Sequence, residues 1–376
     1  MRLRLVRPQP LAFLVKNLRS PVTYEQGLMK VLPFWLRGFG SEQVALYELT
    51  RANRGAYLPD FLQYRITLAT NRNVWPILHD KLLFDAFMRG RLPLSPLLLA
   101  ISDGRPLRLG GDYGLEAWFA EIAAGQPFVV KPLQGGGGSG LSFVRLREDG
   151  SVERNGRVCS WAELRDWVQG LAYHGVYRRE QQHPVLAELY APTTNTLRLH
   201  IFRSDAGTPE ILGAALRVGV ARSLPVDNFN QGALSIHVDP LTGVTGVGIA
   251  RGPDGRPVRL ERHPESGRAL AGIAIPSWEA IRAALLGFHE RLPAFDLVGW
   301  DVIVTEAGFV VIEGNHNPQL RTTLVHANLA TSEAFRAFCQ RRRLLSGAAG
   351  RGSTAGRRDR GRTPGPRGPR PARPLP

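Results

Sequence analysis

Two stretches of this sequence carry residue types that could do chemistry together. In the first, Phe128-Val-Val-Lys131 runs into Pro-Leu-Gln and then Gly135, Gly136, Gly137, Gly138, Ser139 and Gly140 before Leu-Ser-Phe-Val resumes. Consecutive glycines let main-chain N–H groups converge on phosphate oxygens without interference from Cβ atoms, and Lys131 adds a point charge on the strand leading in. In the second, Gly299-Trp-Asp301-Val-Ile-Val-Thr is joined by Glu-Ala-Gly to Phe309-Val-Val-Ile-Glu313-Gly-Asn315. That pattern is a β-hairpin, and strand alternation puts Glu313 and Asn315 on one face with Asp301 able to pair opposite them. Three hard oxygen donors suit Mg²⁺, whereas zinc favours His or Cys.

Other phosphate-binding plans do not fit. The glycine run satisfies G-x-G-x-x-G trivially, and a strand follows it rather than a helix, which disfavours a dinucleotide fold. Ser139-Gly140-Leu141 lacks the Gly-Lys-Ser/Thr of a P-loop. In protein kinases the lysine comes after the glycine loop, whereas Lys131 comes before it, and no H-R-D or D-F-G set is present. The bland alternative to a phosphate loop is a flexible hairpin tip, and the bland alternative to a metal site is a hairpin with polar residues facing water.

These residues need strands to position them, and the sequence supplies strand-like runs at 127–131, 142–147, 196–202, 212–220, 297–304 and 309–313. Between them, Ser160 with Glu163 predicts a capped helix, and Pro276-Ser277 opens another that ends near Leu292-Pro293. The N-terminal third, to about residue 120, has helical spacing in Ser41 to Ala52 and Asp80 to Arg89. The Leu-Pro-Leu-Ser-Pro run from Leu92 can start only an extended segment. The pattern is α+β with antiparallel hairpins and no internal repeat.

At 376 residues, with 43% hydrophobic and 21% charged residues, the chain has room for two or three subdomains. No apolar run approaches the roughly 20 residues of a membrane-spanning helix, and no signal-peptide pattern opens the sequence, so the cytoplasm is the expected location. Cys159 and Cys339 stand far apart and predict buried free thiols rather than a disulfide or zinc site. Much of the net charge of +16 sits in residues 346–376, an Arg/Gly/Pro/Ala segment whose only acid is Asp359. Such a tail cannot bury enough apolar surface to offset its ordering entropy and is expected to be disordered. It reads either as a contact for polyanions or a membrane surface, or as a solvated segment without a partner. It lacks the aromatic platforms of single-strand nucleic-acid binders, so no specific nucleic acid is expected.

Lys131 with its glycine loop, followed by Asp301 and Glu313-Gly-Asn315, resembles the ATP-grasp superfamily. Asp80-Lys-Leu-Leu-Phe84, Asn195-Thr-Leu-Arg198, Pro225-Val-Asp-Asn-Phe-Asn-Gln-Gly232, His263-Pro-x-x-Gly267 and Gly299-Trp-Asp301 resemble its sugar-transfer-associated branch, related to alpha-L-glutamate ligase-like proteins; the likeness runs from about residue 60 to 330. The resemblance implies an ATP-grasp fold of two α+β subdomains clasping ATP: a helical region at 1–75, a central subdomain at 76–180 and a C-terminal subdomain at 181–335. It implies that Lys81 and Lys131 contact ATP phosphates under the loop at 135–140, and that Glu180 and its strand serve adenine and ribose. Arg198 would face the γ-phosphate or an acyl-phosphate, and Asp301, Glu313 and Asn315 would face Mg²⁺. The implied reaction joins a small-molecule carboxylate to an amine, in a polysaccharide or cell-surface pathway. A phosphotransferase on the same fold, or a basic polyanion-binding protein with a vestigial nucleotide site, are the other readings. Asp227 and Asn228 also read as plain turn formers, Lys81 as a solvated lysine and Arg198 as a side chain snorkelling from a strand. Gly232-Ala233 stands where the family would have a double glycine, and His316-Asn-Pro-Gln-Leu follows Asn315, both on the expected substrate side. Of the nine histidines, His183 and His200 read as structural, and only His316 is a functional candidate.

Overall fold

The computed structural model of the chain describes residues 10–107, 113–326 and 332–342; the basic tail from 346 lies outside the described residues. Helices come first: α1 (Pro10–Leu18), α2 (Pro21–Gln26), α3 (Leu28–Trp35), α4 (Ser41–Leu46), α5 (Asp60–Ala69), α6 (Trp75–His79) and α7 (Lys81–Met88). The helix expected over 41–52 stops at Leu46, because the chain reverses at Glu48, whose φ of 46° no helix interior accepts. Helix α7 has the start its sequence promises: the Asp80 side chain accepts hydrogen bonds from the backbone N–H groups of Leu82 and Leu83.

The strands of one antiparallel sheet fall between residues 99 and 178: β1 (Leu99–Ser102), β2 (Arg105–Leu107), β3 (Phe128–Pro132), β4 (Ser142–Leu146), β5 (Val152–Arg154), β6 (Arg157–Cys159) and β7 (Tyr173–Arg178), in the order β2-β1-β7-β3-β4-β5-β6. Helices α8 (Leu115–Ala123) and α9 (Trp161–Gln169) cover one face, with Trp118, Ile122, Leu164 and Val168 against Phe128, Val130 and Val176. Ser160 and Glu163 form the expected capping box at the start of α9.

The second antiparallel sheet comprises β8 (Leu197–Arg203), β9 (Pro209–Val218), β10 (Leu234–Val238), β11 (Thr245–Arg251), β12 (Pro257–Leu260), β13 (Leu297–Thr305) and β14 (Gly308–Asn315), ordered β12-β11-β10-β9-β8-β13-β14. Period-two alternation decides its faces. Leu197, Leu199, Leu216, Trp300 and Val302 pack beneath α11 (Trp278–Arg291), after the short α10 (Pro184–Ala187). Their neighbours Arg198, Arg217 and Asp301 therefore point to the opposite face. Farther along that face, Phe202 and Leu297 share a core with the N-terminal helices and with α13 (Glu333–Arg341), which follows α12 (Arg321–Leu324). The proline-rich run after Leu92 is extended, as expected, and lies along β14: Pro93 O accepts from Val311 N at 2.8 Å and Leu94 bridges Val311. Cys339 is buried, but Cys159 is only half-buried, on the edge strand β6. Among the described residues no helix is long and apolar enough to cross a membrane.

Candidate active site

A cavity of about 440 Å³ opens between the glycine loop and the unpacked face of the second sheet. Its roof is the β3–β4 connection. Gly135, Gly137, Gly138 and Gly140 have φ between 75° and 93°, a conformation side chains rarely adopt, which is why the run is glycine. Gly135 to Gly138 and Ser139 line the cavity. Gly140 does not; a Cβ there would meet Pro132 at 2.8 Å, so this glycine closes the hairpin instead. The tip is fastened from across the cavity, where the Asn228 side chain donates to Gly137 O at 3.0 Å and Gln231 donates to the same carbonyl.

Both expected lysines line the cavity. Lys81, at the start of α7, donates to Gly135 O at 2.9 Å and lies 3.6 Å from Glu313. Lys131 sits over the Tyr177 ring at 4.3 Å. Burial, with the Lys81 charge adding to it, pulls the Lys131 ammonium down to about 8.

The hairpin pairs Asp301 with Glu313 and Gly299 with Asn315. A register shift after Asp301 inserts Ile312 as a bulge. Glu313 and Asn315 both line the cavity, and the glycine between them faces away, where a Cβ would lie about 3 Å from Leu78, Phe84 and Trp300. Asn315 donates its amide to Gly299 O at 3.1 Å, which leaves its side-chain oxygen for the cavity. Glu313 and Asn315 thus offer the cavity a carboxylate and an amide oxygen, hard donors of the kind that fit Mg²⁺ rather than zinc.

Asp301 and Arg198 are strand neighbours and meet side by side. Arg198 Nε and Nη2 donate to the two Asp301 oxygens at 2.5 and 2.9 Å, with side chains only 6% and 5% exposed, and Nη1 donates to Pro318 O at 2.9 Å. Most of the Arg198 fork is thus engaged within the protein. A second arginine, which sequence reasoning missed, completes the group: Arg217 Nη2 lies 3.3 Å from Asp301 Oδ2 and Arg217 Nε 3.6 Å from Asp227. Arg217 and Asp227 also line the cavity. Burial opposes ionisation of Asp301, yet Arg198 and Arg217 hold its carboxyl below the ordinary range, while burial pushes Asp227 up. Arg217 is desolvated as well, but Asp227 and Asp301 keep it firmly protonated. Asp227 is therefore more than a turn former, accepting from Thr196 N at 2.9 Å and from the Thr196 hydroxyl at 2.5 Å.

Glu180 follows β7 and lines a smaller cavity of about 120 Å³ with Tyr177, Ile303 and Ile312; Lys131 borders both cavities. His316 lies at the rim of the larger one, edge-on to Trp75 and His79, which stack at 4.6 Å. Burial, helped by His79, pulls His316 down to about 4, so it is neutral at physiological pH. His200 is buried between Thr323 Oγ1 and Pro318 O, at 2.9 and 2.6 Å, and His183 caps α10, so both are structural here.

These two sheets around one cavity define an α+β fold of the ATP-grasp class. Residues 63–337 match the family described as sugar-transfer associated ATP-grasp, and the chain belongs to that family. No curated protein matches the sequence. Among solved structures, the chain is similar to an ADP complex of N5-carboxyaminoimidazole ribonucleotide synthetase (14% identity, TM-score 0.41, covering 70% of this chain and 52% of that one). It is also similar to D-alanine–D-alanine ligase from Bacillus anthracis (12% identity, TM-score 0.37, covering 71% and 69%). A third is the biotin carboxylase domain of Hydrogenobacter thermophilus 2-oxoglutarate carboxylase with MgADP, ADP and bicarbonate (16% identity, TM-score 0.34, covering 65% and 41%). The chain thus spans about half the length of the first and less of the third.

Proposed function

We propose that the protein is an ATP- and Mg²⁺-dependent ligase that joins a small-molecule carboxylate to an amine. The observation that carries this reading is the cavity in which Lys81, Lys131 and Arg217 face Glu313 and Asn315 beneath the glycine loop. In the proposed reaction a substrate carboxylate oxygen attacks the γ-phosphorus, the bond to ADP breaks, and an amine then displaces phosphate from the acyl-phosphate. The chain's part is positioning and charge neutralisation. The lysines and loop N–H groups would hold phosphate oxygens. Arg217, steadied by Asp227, would face the transferred phosphoryl group, with Arg198 orienting Asp301 behind it. Adenine and ribose would occupy the smaller cavity beside Glu180. Bound Mg²⁺, held by Glu313 and Asn315 with Asp301 beside them, would offset phosphate charge.

The distribution of strands, at 99–178 and 197–315, supports reading residues 76–180 and 181–335 as the two clasping subdomains, with 1–75 as a helical layer. The family's description supports a place beside sugar-polymer assembly, and dependence on ATP supports the cytoplasm. The test supplies ATP, Mg²⁺ and the carboxylate that best stimulates ADP release, then adds hydroxylamine and looks for a hydroxamate by mass. A hydroxamate is expected. A stable phosphorylated product without it would replace the ligase by a phosphotransferase.

A further inference from the structure

The exposed large apolar side chains among the described residues concentrate in one short span, on α1 to α3. Helix α3 shows how the face is built. Val31, Phe34 and Trp35 point into the core, while Leu28, Met29, Leu32 and Leu36 form a stripe on the outside. Met29 and Leu36 are 81% and 82% exposed, the values of side chains with nothing resting on them. Leu14 and Leu18 on α1 are exposed as well, and Tyr24 on α2 donates its hydroxyl to Leu18 O at 3.0 Å while its ring stays exposed. Apolar residues scattered singly need no explanation; this many exposed on three successive short helices do.

The charges around the stripe say what it fits. Lys16, Arg19, Lys30 and Arg37 are all exposed, Glu25 is the one acid in residues 10–37, and Arg2, Arg4 and Arg7 precede α1 in the sequence. Apolar side chains edged by Lys and Arg, on helices too short to span a bilayer, are the composition of an element that lies in a membrane interface: the side chains enter the headgroup–acyl boundary and the cations meet anionic headgroups. A self-association face would pair this rim of cations with itself, at an electrostatic cost. The basic tail, with almost no apolar residues, has nothing to cover the stripe with. We infer that α1–α3 form a docking face for an anionic phospholipid surface, separate from the cavity and independent of the tail.

Sedimentation of the full chain with vesicles of phosphatidylcholine alone, or with part replaced by phosphatidylserine, tests this. Binding is expected on the anionic vesicles, weakening as salt rises. Met29→Asp with Leu36→Asp should lower partitioning about tenfold or more, and Lys30→Glu with Arg37→Glu should remove the preference for phosphatidylserine. All four side chains are exposed, so unchanged thermal melting is the check that folding is intact. A chain ended at residue 345 should bind as the full chain does. The inference is overturned if the full chain does not bind, if the aspartate pair binds equally well, or if only loss of the tail abolishes binding. It is equally overturned if the chain ignores vesicles but forms a dimer that Met29→Asp dissociates.

Discussion

At Glu313 the proposed chemistry has its most direct test. Glu313→Gln keeps the shape and removes a hard anionic donor, so Mg²⁺-dependent ATP turnover should fall at least on the order of a hundredfold, since disturbing even an outer partner of a metal costs 10–100-fold. Melting temperature should hold, and near-normal turnover would remove Glu313 from the metal site. Lys131 gives a prediction in pH. Its folded-state value, about 8, lies below that of an unfolded lysine, so between pH 8 and about 10.4 the unfolded chain binds the extra proton. Stability of the nucleotide-free protein should therefore rise with pH across that window while ATP affinity falls as the ammonium is lost. Lys131→Met should flatten both curves, with denaturant melts and nucleotide titrations as the measurements. Residues on a recognisable motif were legible in the sequence: Lys81, Lys131, Glu313 and Asn315 all line one cavity. Arg217 was not, because it reads as one polar position in an apolar strand. A lone arginine on a strand with otherwise buried neighbours is the signal that could have marked it. Asp227 was obscured by the turn chemistry of the segment around it.

Among the elements, the glycine hairpin is held at its tip by Asn228 and Gln231, side chains of the turn between β9 and β10. Two neutral hydrogen bonds of about 1 kcal/mol each correspond to an opening roughly thirtyfold more frequent when both are removed. Asn228→Ala with Gln231→Ala should therefore speed amide exchange in residues 133–141 by about that factor, while exchange in β13 stays unchanged; equal exchange in variant and parent would show that the loop does not depend on them. The long buried strands and the helix capped by Ser160 could be seen from alternation and capping residues. Strands β1, β2, β5, β6 and β10 to β12 were missed, because most are short and take their place from sheet partners rather than from pattern, and β7 was reached only through the resemblance around Glu180. Glu48 ended a helix whose spacing alone would have carried it to residue 52.

Over the whole molecule, a chain ended at residue 345 should keep its melting temperature and nucleotide affinity, because the segment removed has almost nothing to bury. Loss of ATP binding in that chain would place the boundary elsewhere. The other end behaves in the opposite way. Arg321, behind the site, reaches Glu42 at 2.7 Å and Asp60 at 3.1 Å. Val31, Phe34 and Trp35 share a core with Phe202 and Leu297 of the site-bearing sheet. The stretch that marks the family begins at residue 63, well inside this shared core. The unit of folding is therefore larger than the unit of kinship: a protein begun at residue 63 would keep every phosphate- and metal-facing residue and still expose the far end of the same face of the strands that carry them. Such a chain should aggregate or lose its single cooperative melt, and any relative that replaces the first sixty residues must bring another apolar layer to the same place.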